Sequence, residues 1–196
     1  PFEASYAAFS PGRNWEQIRT TICLNNQPVK LVGSHAGLNV GPDGATHQML
    51  EDIALMRSLP NMVVLAPGDA NEAKLIAAAM AGDKRPNYVR LPREKTPLFL
   101  SQSTFEIGKS YTLRRGKGVA LFGTGVMTYQ LLLAAEKLAN EYDIRAEVIH
   151  FPTIKPLDED AVLDAAQKCQ AVITAEEGQI VGGFGSSVAE VLSENL

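Results

Sequence analysis

Two of the chain's three histidines fall in one glycine-rich stretch, Gly33-Ser34-His35-Ala36-Gly37-Leu38-Asn39-Val40-Gly41-Pro42-Asp43-Gly44-Ala45-Thr46-His47-Gln48. Imidazole titrates near neutral pH, and a carboxylate accepts hydrogen bonds from hydroxyls. His35, Asp43 and His47 therefore suit a site that reads substrate hydroxyls and moves their protons. Other readings stay open: a structural turn with capping polar groups, a metal site of unfamiliar ligand spacing, or a phosphate cradle without the lysine of a P-loop. A second cluster is Arg90-Leu91-Pro92-Arg93-Glu94-Lys95. Arg93 could grip a carboxylate or phosphate with its planar fork, or be a solvated surface charge. Tyr6 and Phe9, three residues apart, are either core packing or a platform on which a heteroaromatic ring stacks. Gly123-Thr124-Gly125 and Gly182-Gly183-Phe184-Gly185 read as tight turns, since neither completes a dinucleotide fingerprint.

The elements around these residues repeat a strand–loop–helix pattern. Short apolar runs predict strands at Val29–Ser34, Val63–Ala66, Tyr88–Leu91, Val119–Gly123, Ala146–Phe151 and Ala171–Ala175. Several are apolar at consecutive positions, as strands covered on both faces are. Helical patterns fill the gaps at Asn14–Cys23, Thr46–Ser58, Asp69–Gly82, Tyr129–Glu141, Asp158–Lys168 and Gly185–Leu196. Asp69 and Glu72 stand in capping-box spacing. The alternation predicts an α/β fold of mostly parallel sheets flanked by helices, with right-handed crossovers. The histidine loop follows a strand, where open α/β sheets place ligands.

The periodicity breaks at Pro92, Pro97 and the polar run Ser101-Gln102-Ser103-Thr104, then restarts after Arg114-Arg115-Gly116-Lys117-Gly118. Two consecutive units are expected, 1–105 and 106–196. The 196 residues carry 18 basic and 22 acidic side chains, a net charge of −4. Neither half has the basic excess of a nucleic-acid or anionic-membrane binder, and no apolar run has the length of a membrane span. Cys23 and Cys169 stand alone, without metal-type spacing, and read as reduced, buried, intracellular thiols. The sequence begins at Pro1 without an initiator methionine and stops at Leu196 inside a helical pattern, so it reads as a piece of a longer chain whose units are both truncated.

The run Ser34-His35-Ala36-Gly37, Gly41-Pro42-Asp43-Gly44-Ala45-Thr46-His47-Gln48, Leu50-Glu51-Asp52 and Arg57-Ser58-Leu59-Pro60-Asn61 resembles the pyrimidine-binding domain of transketolases. Pro67-Gly68-Asp69 and Arg90–Arg93 continue the likeness. Phe151-Pro152-Thr153-Ile154-Lys155-Pro156-Leu157-Asp158, Glu176-Glu177-Gly178 and Gly182-Gly183-Phe184-Gly185 are similar to the family's C-terminal domain. The likeness covers nearly the whole chain and looks like the C-terminal subunit of split, two-chain transketolases.

That resemblance implies a thiamin-diphosphate-dependent transferase of carbohydrate metabolism, cytoplasmic and of the pentose phosphate pathway, passing a two-carbon ketol unit between sugar phosphates. It makes Tyr6 and Phe9 the aromatics against the cofactor's aminopyrimidine, with Tyr6 where phenylalanine is usual and Gly12 where some members have a third aromatic. His35 becomes a sugar-phosphate contact, Asp43 the reader of an acceptor hydroxyl, and Arg93 the phosphate arginine. His47 is placed beside the donor hydroxyl and the two-carbon unit as the catalytic histidine. The resemblance puts the family's catalytic glutamate, in a Glu-Gln motif that activates the cofactor pyrimidine, upstream of Pro1 and so outside this sequence, where Glu3 does not take its place. The diphosphate and Mg2+ (or Ca2+) then sit on a diphosphate-binding N-terminal domain or partner subunit rather than on this chain. It further implies a homodimer or heterotetramer formed through Tyr6–Arg19 and Thr46–Ser58, and no turnover by the isolated chain. Related alternatives are 1-deoxyxylulose-5-phosphate synthase, the β chain of 2-oxoacid dehydrogenases, and a non-catalytic interaction subunit.

Overall fold

The computed structural model describes residues 1–195 and shows two mostly parallel sheets flanked by helices. The first has five strands in the order β1-β2-β4-β3-β8. These are β1 (Phe2–Tyr6), β2 (Lys30–Ser34), β3 (Val63–Leu65), β4 (Asn87–Arg90) and β8 (Thr153–Lys155). β1, β2, β4 and β3 run parallel, with Tyr6 opposite Ser34 and Gly33 opposite Arg90. The second sheet has the order β5-β7-β6-β9. Its strands are β5 (Tyr111–Arg114), β6 (Ala120–Gly123), β7 (Glu147–His150) and β9 (Val172–Ala175). β6 pairs in parallel with β7 and β9, while β5 is an antiparallel edge.

The helices are α1 (Trp15–Gln17), α2 (Asp52–Arg57), α3 (Ala70–Gly82), α4 (Met127–Tyr142), α5 (Glu159–Lys168) and α6 (Phe184–Asn195). Leu196, at the end of the last predicted helix, lies outside the described residues. α1 widens into a π-helical segment, Ile18–Cys23, so the predicted helix Asn14–Cys23 is helical but not uniformly α. The Asp69 carboxylate caps α3, accepting from the Asn71 and Glu72 amides at 3.0 Å each. The Glu72 carboxylate does not close the capping box onto Asp69; it accepts from the Gly68 amide (2.7 Å).

One expectation needs correction, and three strands lie where none was expected. The helix predicted at Thr46–Ser58 is a 3₁₀ turn at Gly44–Thr46 followed by α2 alone. Met49 is drawn into an antiparallel bridge with Gly37, which takes residues 48–50 out of helical register. β1 and β5 carry too weak an apolar pattern to be read as strands. β8 is a three-residue piece whose partner is far away in sequence.

That last strand matters for the architecture. β8 runs antiparallel to β3, with Thr153 opposite Leu65 and Lys155 opposite Val64, so the later half of the chain completes the earlier half's sheet. Lys155 Nζ also donates to the carbonyls of Arg57 (2.8 Å) and Leu59 (2.5 Å), a cation at the carbonyl end of α2. One hydrophobic core crosses the divide: Ile18, Met56, Val64 and Tyr88 pack in the same cluster as Phe122, Ile149, Phe151 and Phe184. A buried polar contact crosses it too, from Glu72 on α3 to His150 on β7 at 2.7 Å. Among the described residues no helix is long and apolar enough to cross a membrane.

Candidate functional site

The parallel pairing of β1 and β2 brings their carboxyl ends side by side, and both chains then leave the sheet. Tyr6 ends β1 and His35 follows the end of β2. Their rings lie face to face, centroids 3.9 Å apart and planes 13° from parallel. Phe9, in the turn after β1, is nearly parallel to Tyr6 (5°) with centroids 5.9 Å apart. His47 meets both edge-on, at 6.0 Å from Tyr6 and 5.2 Å from Phe9. The guanidinium of Arg13 lies over Phe9, 4.4 Å from its centre. One face of Tyr6 is thus occupied by His35 and one face of Phe9 by Arg13. The remaining faces can take a flat heteroaromatic ring.

The hydrogen bonds fix how each histidine carries its proton. The Ser34 hydroxyl donates to the Ser5 carbonyl (3.1 Å), so His35 Nδ1, 3.1 Å from Ser34 Oγ, is the donor to that oxygen. The Thr46 hydroxyl donates to the Asp43 carbonyl (3.2 Å), so His47 Nδ1 donates to Thr46 Oγ1 (2.8 Å). In the neutral form each ring then presents Nε2 as an acceptor with no protein partner among the described residues. Two half-buried imidazoles with free basic nitrogens, beside an open aromatic surface, can take protons from ligand hydroxyls. His35 holds this place at φ +56°, a left-handed backbone rare for a residue with a side chain.

Asp43 begins the 3₁₀ turn that ends at Thr46, and its carboxylate is exposed. It lies on the histidine loop, held to His47 through Thr46. Arg93 is exposed, and its Nη1 donates to the Val40 carbonyl (2.9 Å), so one donor is engaged within the loop and the rest of the fork is free. The structure therefore gathers His35, His47 and Phe9 around Tyr6, with Phe9 also against His47, and attaches Arg93 to the loop between the two histidines. Gly12 is explained by crowding: a Cβ there would sit 2.2 Å from the Ala8 carbonyl oxygen. No side chain, aromatic or otherwise, fits that turn as folded. Among the described residues no group of three or more His, Cys, Asp or Glu could hold a metal ion, so the metal reading of His35, Asp43 and His47 is not supported.

Sequence reasoning missed the support beneath the loop. Buried Asp52, on α2, accepts from Tyr88 (2.8 Å) and forms an ion pair with Arg90 Nε (3.0 Å) through the same oxygen. Arg90 Nη1 donates to the Glu177 carbonyl (2.8 Å), and the Glu177 side chain returns to the loop, Oε1 accepting from the amides of Leu38 (2.8 Å) and Asn39 (3.2 Å). Burial drives the Tyr88 hydroxyl's pKa well up, and the neighbouring Asp52 carboxylate pushes it further. Burial alone would lower the Arg90 pKa; Asp52, Tyr88, Glu177 and Glu176 outweigh it and raise the net value, so this guanidinium stays charged. These partners are 87 or more residues apart across the Arg90–Glu177 and Leu38–Glu177 contacts, and no local pattern announces them.

Comparison with known proteins bears on this geometry. Residues 1–97 match the transketolase pyrimidine-binding domain, and residues 108–196 match the transketolase C-terminal domain. A protein of Methanocaldococcus jannaschii named as a transketolase C-terminal section is 42% identical over 197 residues, covering 99% of this chain and 61% of that protein. A 1-deoxy-D-xylulose-5-phosphate synthase of Thermomicrobium roseum is 39% identical over 198 residues, covering 99% of this chain and 31% of the synthase. A split-gene transketolase solved as an inactive beta4 tetramer superposes with a TM-score of 0.93 at 42% identity, over 100% of this chain and 63% of that one. The chain thus spans under two thirds of the length of these relatives. With both domain models matched in order along nearly its whole length, the chain belongs to the transketolase family, in the section that carries the pyrimidine-binding and C-terminal domains.

Proposed function

We propose that this chain is the pyrimidine-and-sugar half of a thiamin-diphosphate-dependent transketolase, transferring a two-carbon ketol unit between sugar phosphates. The observation that carries this reading is the pair of imidazoles, each with Nδ1 committed to a hydroxyl and Nε2 free, flanking the Tyr6–Phe9 surface. When bound, thiamin diphosphate supplies the nucleophilic carbon that accepts and passes on the ketol unit. The aromatic faces of Tyr6 and Phe9 fit its aminopyrimidine. His47 Nε2 takes or returns the proton of the donor hydroxyl, and its Nδ1 bond to Thr46 holds the basic nitrogen outward. Asp43 accepts from an acceptor-sugar hydroxyl. His35 and the free donors of Arg93 grip a phosphate remote from the reacting carbon, so that binding energy there positions the reacting end. The diphosphate group and its divalent cation belong to a separate domain or partner subunit, and we infer a homodimer or heterotetramer that buries Tyr6–Arg19 and Thr46–Ser58.

The identity to 1-deoxy-D-xylulose-5-phosphate synthases, 39% over 99% of the chain, favours that activity as the second reading. Donor choice separates the two. The assembled enzyme is offered a ketose phosphate or a 2-oxoacid with the same aldose phosphate acceptor. Ketol transfer from the ketose alone supports the transketolase reading, and turnover requiring the 2-oxoacid overturns it.

A further inference from the structure

We propose that Glu177, on the loop after β9, is a positioning residue that clamps the Gly37–Asn39 backbone from the C-terminal half and so sets the sugar-phosphate site between His35 and Asp43. This deepens the proposed function and rests on it. One carboxylate oxygen accepts two successive amides, Leu38 at 2.8 Å and Asn39 at 3.2 Å. Consecutive backbone N–H groups converging on one anion form a charge-assisted cradle. Here the anion is the protein's own. The fit leaves no space at Gly37: a Cβ there would lie 2.4 Å from the Glu177 carboxyl carbon, and the residue sits at φ +88°. A side chain would be both strained and driven into the clamp.

The clamp is itself anchored. The Glu177 carbonyl accepts from Arg90, and Arg90 is tied through Asp52 to α2. Two residues on, the Gln179 amide donates to the Leu50 carbonyl (2.9 Å). On the far side of the loop, Arg93 Nη1 holds the Val40 carbonyl. The four residues between His35 and Val40 are therefore held from the C-terminal half by Glu177, and from their own half by the Ala36 amide on the Leu91 carbonyl (3.1 Å), the Gly37 amide on the Met49 carbonyl (2.8 Å) and Gln48 Nε2 on the Leu38 carbonyl (3.0 Å). Loss of the carboxylate removes the hold from the C-terminal half and should loosen the segment at Leu38 and Asn39, while leaving the histidine tautomers set by Ser34 and Thr46.

The test compares Glu177→Ala with Glu177→Gln in the assembled enzyme. The amide oxygen of glutamine can still accept both backbone protons, whereas alanine cannot. Glu177→Ala is expected to raise KM for sugar phosphates about tenfold or more, the scale of a lost charge-assisted bond, with a smaller change in kcat. Glu177→Gln should recover most of that loss. Amide hydrogen exchange supplies a readout that needs no turnover. Leu38 and Asn39 should exchange about tenfold faster or more in Glu177→Ala. The Phe184 and Gly185 amides, which donate to neighbouring Glu176 at 2.9 Å each, should be unchanged. Should Glu177→Ala fail to fold, Gly37→Ala attacks the clamp from the loop side and is expected to give the same KM rise and the same local exchange. Unchanged exchange at Leu38 and Asn39, or a Glu177→Gln defect as large as that of alanine, overturns the clamp. Absence of ketol transfer in the wild-type assembly overturns the functional reading instead, and the exchange contrast still decides the clamp.

Discussion

His150 and His47 are both bonded through Nδ1 to a threonine hydroxyl, at 2.7 Å from Thr128 and 2.8 Å from Thr46. Beyond that bond they differ in every respect that matters for chemistry. His150 is fully buried, and its Nε2 lies 2.7 Å from Glu72 Oε2, an oxygen that also accepts the Gly68 amide. The other Glu72 oxygen accepts from Gln102 (2.9 Å). Nothing in that cluster is left to offer a ligand, and its members join α3 of one sheet to β7 of the other. His47 is half-buried with Nε2 free beside two aromatic rings. The same residue types, His with Thr and a carboxylate, make a structural joint in one place and a candidate catalytic surface in the other. Hydrogen-bonding capacity left unused at an accessible position separates the two.

The largest effect on stability that can break this contrast is at the joint. His150→Ala removes one of the side-chain partners of buried Glu72, and leaving a buried polar group short of a partner costs about 1–3 kcal/mol. Urea unfolding should show a midpoint shift of that size, and a shift under about 1 kcal/mol would mean the joint is not a joint. His47→Ala should do the opposite. The unfolding midpoint stays near wild type, within about 0.5 kcal/mol as for other partly exposed positions, while kcat of the assembled enzyme falls by about 10²-fold or more. Removing the phosphate from the substrate should not rescue it.

A smaller effect sharpens the roles within the open site. Arg93→Ala should cost about 1.5–3 kcal/mol, seen mainly as a raised KM for phosphorylated sugars and much less for an unphosphorylated acceptor. Equal defects with both substrates would assign Arg93 to its bond with Val40 alone. The smallest expected effect extends the comparison to the thiols. Burial pushes the Cys23 thiol up to about 11, opposed only by the nearby Lys155 charge. A raised thiol pKa keeps the reactive thiolate scarce until the pH approaches that value. At pH 8 roughly one Cys23 in a thousand is thiolate, so iodoacetamide should label partly exposed Cys169 and spare Cys23 until the chain unfolds. Early labelling of Cys23 would contradict its burial beneath Asn61, which bonds its carbonyl (3.0 Å).

What the sequence made legible follows the range of the interactions involved. The six predicted strands appear within one or two residues of their places, because buried parallel strands write their apolar character into consecutive positions. The helix predicted at Thr46–Ser58 was overextended because the Gly37–Met49 bridge is a contact between residues twelve apart, and periodicity does not register it. β8 escaped for a stronger version of the same reason, since Thr153–Lys155 is a strand only by pairing with Val64 and Leu65. At the site, Tyr6, Phe9, His35 and His47 were each named from the sequence, but the left-handed backbone of His35 and the face-to-face stack with Tyr6 were not foreseeable. Glu177 stood within the motif that resembles the C-terminal domain, yet its bond to Leu38, 139 residues away, belongs to the fold alone.

The central claim is that the open histidine face is half of an active centre completed by a diphosphate-binding partner. The most direct measurement is ketol transfer with thiamin diphosphate and Mg2+ by three samples: the isolated 196-residue chain, a mixture of the longer chain that includes the upstream Glu-Gln motif with its diphosphate-binding partner, and the same mixture carrying His47→Ala. The account predicts no turnover from the chain alone, turnover in the mixture, and loss of about 10²-fold or more of that rate in the variant. Turnover by the isolated chain, or a mixture indifferent to His47, would contradict it.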